Sequence, residues 1–206
     1  NGGNNMQNEK KELLKKFKTV IDDLMDHYDE YTDEEKAQIK EIFQKVADLN
    51  TILDKYDVKA TFFVFFTGEY DLMKQIVERG HSIGIHTMTH DYNSIYASEE
   101  AFFNDLLGMQ DIIYRNTGIK TTLMRFPGGG SNLVSDYNEG IMTRLSKAVQ
   151  DAGFQYFDWN VDSKDAGGAK TAQEVFENVV NGCASRRVSI VLQHDIKGFS
   201  VEAVEK

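Results

Sequence analysis

Three of the chain's five histidines, His81, His86 and His90, fall within one short stretch, GHSIGIHTMTH over Gly80–His90. Three residues separate His86 from His90, so one turn of helix or a tight loop aims both imidazoles at one point. That is the geometry a divalent metal takes from two neutral nitrogen ligands. Ser82–Ile85 reads as a short buried strand, which puts the pair just past a strand's C-terminal end. Ligands and catalytic groups gather there in parallel α/β folds. The spacing by itself is not diagnostic, because H-x-x-x-H recurs by chance on helices.

Other segments give the pair a context. Val58–Val64 is a buried strand following a helix. Downstream come Arg125-Phe126-Pro127-Gly128-Gly129, then Asp158-Trp159, then Leu192-Gln193-His194-Asp195. In this order, over residues 51–206, they resemble the polysaccharide deacetylases, the NodB-homology family of metal-dependent carbohydrate N- and O-deacetylases. The resemblance implies that His86 and His90 supply two ligands to a divalent metal, for which zinc is the natural first choice. Thr87 and Thr89 would orient the imidazoles, and His81 matches a structural position. His194 matches the family's general acid, and an ordinary histidine pKa near 6.5 suits protonation of a leaving amine. Asp158 matches the carboxylate that pairs with this histidine and raises its basicity, while Asp162 and Asp165 read equally well as a solvated acidic loop. Arg125 matches the residue that holds the catalytic carboxylate in place. Gly128 matches the position whose N–H faces the oxyanion, where a glycine lets backbone and substrate approach closely. Leu192 and Trp159 match the apolar walls of the acetyl pocket, with Phe126 and Pro127 also expected on the substrate side. Pro127 is the chain's single proline, which suits a turn needing a fixed φ.

These residues need a scaffold. Apolar residues recur at three- and four-residue steps from Glu9 to Tyr28, the pattern of an amphipathic helix. Thr32 and Glu35 mark a capping box for a second helix running close to Lys55. The two would form an N-terminal helical hairpin joined at Asp29–Tyr31, so residues 1–50 read as linker and hairpin and 51–206 as the deacetylase-like domain. Beyond Thr51 the pattern alternates. Strands are expected at 59–66, 82–85, 121–126, 155–160 and 188–193, and helices at 71–79, 98–115, 140–152 and 171–181, the last capped by Gly182. Such alternation argues for parallel strands with helical crossovers. The resemblance selects a distorted, incomplete (β/α) barrel with its groove at the C-terminal ends of the strands.

One family motif has no counterpart. The T-F-D-D-G segment, source of the general base and third metal ligand, should lie shortly before Ile52–Tyr56, where the chain reads Ala37-Gln38-Ile39-Lys40 inside an expected helix. Asp22-Asp23 is the chain's one adjacent Asp pair and sits in a helical stripe. Asp158, Asp162, Asp165 and Asp195 are candidates to stand in. Ser200–Lys206 looks like the start of the family's last helix without its closing strand, so the domain is expected to be incomplete.

Composition narrows the partners. The 206 residues suffice for one sizeable domain with a helical appendage. An apolar fraction of 41% and a charged fraction of 27% are ordinary for a globular protein. A net charge of −10 and a pI near 5.0 argue against nucleic acid; a neutral sugar polymer is indifferent to that charge. No apolar run approaches the ~18 residues of a membrane span, and no signal peptide is recognisable. Cys183 is the lone cysteine, so no internal disulfide forms. The resemblance implies an extracellular or cell-envelope location. No sequence feature specifies an oligomeric state. The expected function is metal-dependent removal of acetyl groups from an N-acetylglucosamine-type polysaccharide, peptidoglycan or chitin-like. The alternatives are a catalytically degenerate carbohydrate-binding copy of the fold, or a helical interaction module at 9–55 fused to either.

Overall fold

The computed structural model describes residues 44–45, 48–68 and 70–206. The expected first helix, the joint and the capped start of the second helix lie outside these residues. A helix over 48–55 (α1) lies where the second helix was expected to end. The chain then runs β1 Thr61–Phe65, α2 Tyr70–Glu78, β2 Ser82–Thr87, α3 Tyr92–Ile95, α4 Glu99–Thr117, β3 Leu123–Met124 and α5 Ile141–Asp151. It continues through β4 Gln155–Tyr156, β5 Val161–Asp162, α6 Ala172–Ala184, β6 Val191–Leu192 and α7 Gly198–Ala203.

Every strand pair is parallel, in the order β1-β2-β3-β4 for one sheet and β5-β6 for a second. The expected α/β architecture is therefore present. Among the described residues its incomplete barrel takes the form of these two sheets, with no closed barrel.

Local chemistry explains the helices. Ser98 caps α4 by accepting from the Ala101 N–H, and Glu99 and Glu100 sit in the first turn, where the helix dipole favours negative charge. Gly118 ends α4 in the left-handed conformation, φ 74°. Thr171 and Glu174 close a full capping box on α6. Phe102, Leu106, Met109 and Ile113 of α4 are all but fully buried. With Ile83 and Ile85 of β2 they build the core that fixes the end of β2. A second cluster of Ala169, Ala172, Val175 and Ala203, covered by Phe199, joins α6 to α7.

Several boundaries differ from expectation. β2 runs on through His86 and Thr87 rather than stopping at Ile85. The expected strand at 121–126 shortens to β3, and that at 155–160 to β4, with β5 following as a separate strand. Single ladder bonds, Arg125 N–H to Ile85 and Phe157 N–H to Met124, carry the pairing one residue further before the chain turns away. The strand at 188–193 shortens to β6. Gly182 lies inside α6 and does not cap it. A Cβ there would stand 2.6 Å from Val161 Cγ1, so glycine lets the helix lie directly on β5. Helix α3, between His90 and Ser98, had no expected counterpart.

Candidate active site

The last residues of β2 present His86 at the C-terminal edge of the larger sheet. Its Nδ1 lies 2.8 Å from the carbonyl oxygen of Arg125, the residue after β3. Donating Nδ1–H to that carbonyl leaves the Nε2 lone pair free, the tautomer a metal-binding histidine needs. Burial pushes the His86 pKa down to about 4, so the ring is neutral near pH 7. The chain then turns sharply instead of forming the helix that H-x-x-x-H also permits. The His90 N–H donates to Thr87 Oγ1 at 2.6 Å, and His90 takes φ 55°. The two imidazole centroids are 5.1 Å apart.

Two imidazoles so arranged fit a divalent metal as nitrogen ligands. Among the described residues no group of three or more His, Cys, Asp and Glu side chains gathers into a metal site. The structure thus brings two imidazoles together there, with no third His, Cys, Asp or Glu side chain beside them among the described residues. His81, expected to be structural, is buried; its Nδ1 accepts the Ala60 N–H at 3.4 Å and its ring packs on Phe62.

The second cluster forms where β5 and β6 end side by side. His194 Nδ1 lies 2.8 Å from Asp165 Oδ1. Asp165 Oδ2 accepts the His194 N–H and the Ser200 hydroxyl, each at 2.6 Å. The Asp165 side chain is fully buried. Burial opposes its charge, but the bonds from His194 and Ser200 hold its carboxyl well below the usual carboxylate range. In return the Asp165 bond raises the His194 pKa above its ordinary value. The field of His194 reaches His86, where it disfavours a second positive charge.

This corrects two expectations. The partner of His194 is Asp165, not Asp158, and Asp165 is no solvated loop residue. Parallel pairing of β5 with β6 brings the loops after both strands together, whereas Asp158 precedes β5 and faces the other sheet's loop. There its Oδ1 accepts the Gly130 N–H at 2.8 Å. Asp162 is exposed and accepts the Lys164 N–H. Asp195, beside His194, has its carboxyl pushed up by burial.

Phe126-Pro127-Gly128-Gly129 is a β-turn closed by the Gly129 N–H to the Phe126 carbonyl at 2.9 Å, with Gly128 at φ 76°. Proline second and a positive-φ glycine third are the type II preferences. The run of glycines is closely packed and not a loose loop. A Cβ on Gly129 would stand 3.1 Å from the Trp159 ring, and one on Gly130 2.8 Å from Asp158 Oδ2. Gly128 is the exposed tip, and its N–H donates to no group among the described residues. The buried Tyr96 hydroxyl donates to the Pro127 carbonyl at 2.7 Å and holds the turn from below.

Arg125 is buried, its Nε donates to the Phe157 carbonyl at 2.9 Å, and its guanidinium lies 4.5 Å from the Phe63 ring and 5.7 Å from Trp159. Trp159 and Leu192 are half-buried. Phe126 does not face a substrate. Its side chain is fully buried against Phe102 and Tyr156, and Pro127 is buried with it, so both anchor the turn.

Sequence reasoning named Asp165 only as a stand-in carboxylate or a loop residue and missed its bond to His194; it missed Ser200, Tyr96 and Asp105 altogether. The two-residue β5 has no pattern of its own along the chain, and the place of Asp165 becomes visible only once β5 is paired with β6.

Residues 43–157 match the family model for polysaccharide deacetylase. A peptidoglycan-N-acetylglucosamine deacetylase of Bacillus cereus is 33% identical over 170 residues, covering 77% of this chain and 58% of that protein. The solved catalytic domain of a peptidoglycan N-acetylglucosamine deacetylase from Eubacterium rectale is 50% identical, with a TM-score of 0.74 over 76% of this chain and 73% of that one. A solved polysaccharide deacetylase from Bacillus cereus is 32% identical, with a TM-score of 0.67 over 77% of each chain. The chain spans between 51% and 62% of the length of the first curated relatives it matches. With the family model matching more than half of its residues, and β2, the glycine turn and the β5–β6 loops set out as above, this chain belongs to the polysaccharide deacetylase family.

Proposed function

We propose that this chain is a deacetylase domain that removes acetyl groups from N-acetylglucosamine units of a peptidoglycan-type polysaccharide at the cell envelope. The observation that carries the reading is the His194–Asp165 pair. A buried carboxylate that raises the pKa of a half-exposed histidine suits proton donation to a leaving group, and binding alone has no need of it.

Hydrolysis adds water to the acetyl carbon, breaks the C–N bond and releases acetate and the sugar amine. His194, kept protonated by Asp165, gives its proton to the departing nitrogen. The free Gly128 N–H donates to the oxygen on which negative charge develops. Trp159 and Leu192 flank the acetyl methyl as apolar walls, and Arg125 supplies positive charge beneath the turn. His86 and His90 would hold a divalent metal, zinc first, which when bound supplies Lewis-acid polarisation of the acetyl carbonyl.

A second reading, a carbohydrate-binding copy without turnover, is favoured by one observation: only two side chains among the described residues assemble at the metal position. Acetate release from N-acetylglucosamine oligomers and peptidoglycan, with zinc or cobalt added, separates the two. The deacetylase reading expects release, reduced by about 10²–10⁴-fold in His194→Ala and lost on chelation and in His86→Ala. Oligomer binding without any release by the folded protein supports the binding copy instead.

A further inference from the structure

The turn that carries His90 is held by a residue that the motifs do not include. Asp105 lies on α4 and is 7% exposed. Its Oδ1 accepts the Met88 N–H at 2.6 Å, and its Oδ2 accepts both the Thr89 N–H at 3.0 Å and the Thr89 hydroxyl at 2.9 Å. Thr87 Oγ1 takes the next N–H, that of His90. Three consecutive backbone donors between the two histidines are thus satisfied by side-chain oxygens, two of them by one carboxylate. A carboxylate is an acceptor only and can receive several donors at once. An amide of the same shape would turn an NH2 group against one of these N–H groups.

His90 has φ 55°, a conformation uncommon for a residue with a side chain. It persists only where the surroundings over-determine it. The clamp from α4, itself packed in the core, supplies that constraint. A buried carboxylate without a cation beside it is costly unless hydrogen bonds compensate it; among the described residues Asp105 has no ion-pair partner, and its three hydrogen bonds all go to this turn.

We propose that Asp105 is a positioning residue that sets the His86/His90 pair in its metal-binding arrangement, acting through Met88 and Thr89. The proposal rests on the reading of that pair as metal ligands. It predicts that the carboxylate tunes metal affinity without touching the metal.

The test is zinc affinity by chelator competition, and the visible spectrum of the cobalt form, for the full chain and for Asp105→Asn, Thr89→Val and Asp111→Asn. Asp111 is a half-exposed residue of the same helix, ion-paired with Arg115, and serves as control. Asp105→Asn is expected to weaken zinc binding by about 10- to 100-fold, the usual effect of losing a partner that orients a ligand, and to change the cobalt spectrum. Thr89→Val, which removes the hydroxyl's bond to Asp105 and the long 3.4 Å contact it accepts from the Asp91 N–H but keeps both N–H bonds to the carboxylate, should fall in between, and Asp111→Asn should match the parent. If Asp105→Asn does not fold, Thr89→Val decides: parental affinity and spectrum in that variant overturn the proposal. Zinc uptake by the parent with unchanged uptake by a folded Asp105→Asn overturns the proposal alone. A parent that binds no zinc overturns the metal reading and the proposal with it.

Discussion

At the scale of single residues, the buried Asp165 sets the charge of His194. Its hydrogen bond raises the His194 pKa, while bonds from His194 and Ser200 lower its own. The pair stabilises the fold above the ordinary carboxylate range and below the raised value of His194. That stability is lost as pH falls through Asp165's depressed value, and as pH rises through His194's raised one. Asp165→Asn removes the charge and turns an amide NH2 towards the His194 donors. The His194 titration followed by NMR should move to lower pH, and the alkaline limb of the deacetylation profile should move with it. An unfilled bond in a site this buried should also cost about 1–3 kcal/mol of stability. An unmoved His194 titration would remove Asp165 from the acid's support. Asp158 was the reasonable expectation, since it adjoins the only Trp at the end of an apparent strand. Distance along the chain could not show that it serves Gly130 and that Asp165 reaches His194 across the β5–β6 pair.

At the scale of elements, close approach between strands couples the scaffold to the site. Gly84 lies in β2 between β1 and β3, and a Cβ there would stand 2.7 Å from Phe63 Cδ1 and 3.2 Å from the Leu123 carbonyl oxygen. The backbone on one side cannot yield, so the Phe63 ring must. That ring is the surface under the Arg125 guanidinium. Gly84→Ala should therefore lower stability in urea by about 1–3 kcal/mol, the usual cost of overpacking, and reduce activity by disturbing Arg125. Unchanged stability would mean that β1 and β2 part more easily than their parallel ladder indicates. The β/α alternation was legible because cap residues such as Ser98, Thr171 and Gly118 and the apolar runs are local signals. The limits of β3, β4 and β6 were not. Those strands end where the chain turns towards the site, and apolar residues continue past the last ladder bond, as Phe126 does into the core. Gly182 was read as a cap because a glycine near a helix end usually is one; its contact with Val161 is tertiary and leaves no local trace.

At the scale of the whole molecule, buried histidines make the fold sensitive to acid. His81 has its pKa lowered by burial, with Lys59 and Arg79 adding to the effect and Asp54 opposing it, and its Nε2 is buried without a hydrogen-bond partner. His86 is pushed down to about 4, also by burial. In the unfolded chain both take a proton near the ordinary histidine value of about 6.5. Their contribution to stability is thus complete above that value and declines as pH falls below it, for His86 down to about 4. For His86 this window amounts to about 3 kcal/mol. His194 does not offset the loss, because its raised pKa gives a contribution already fully present below the unfolded value. Asp195 acts in the opposite sense, recovering some stability as pH falls through its raised carboxyl value. Metal-free protein should therefore unfold at a distinctly lower urea concentration at pH 5 than at pH 7. His86→Gln should flatten that dependence, since glutamine takes up no proton in either state. The pI near 5.0 lies within this window, so measurement at low protein concentration separates loss of stability from loss of solubility. Equal midpoints at both pH values would mean that the two histidines accept protons in the folded protein as readily as in the unfolded chain, and that the core around β2 is open to water.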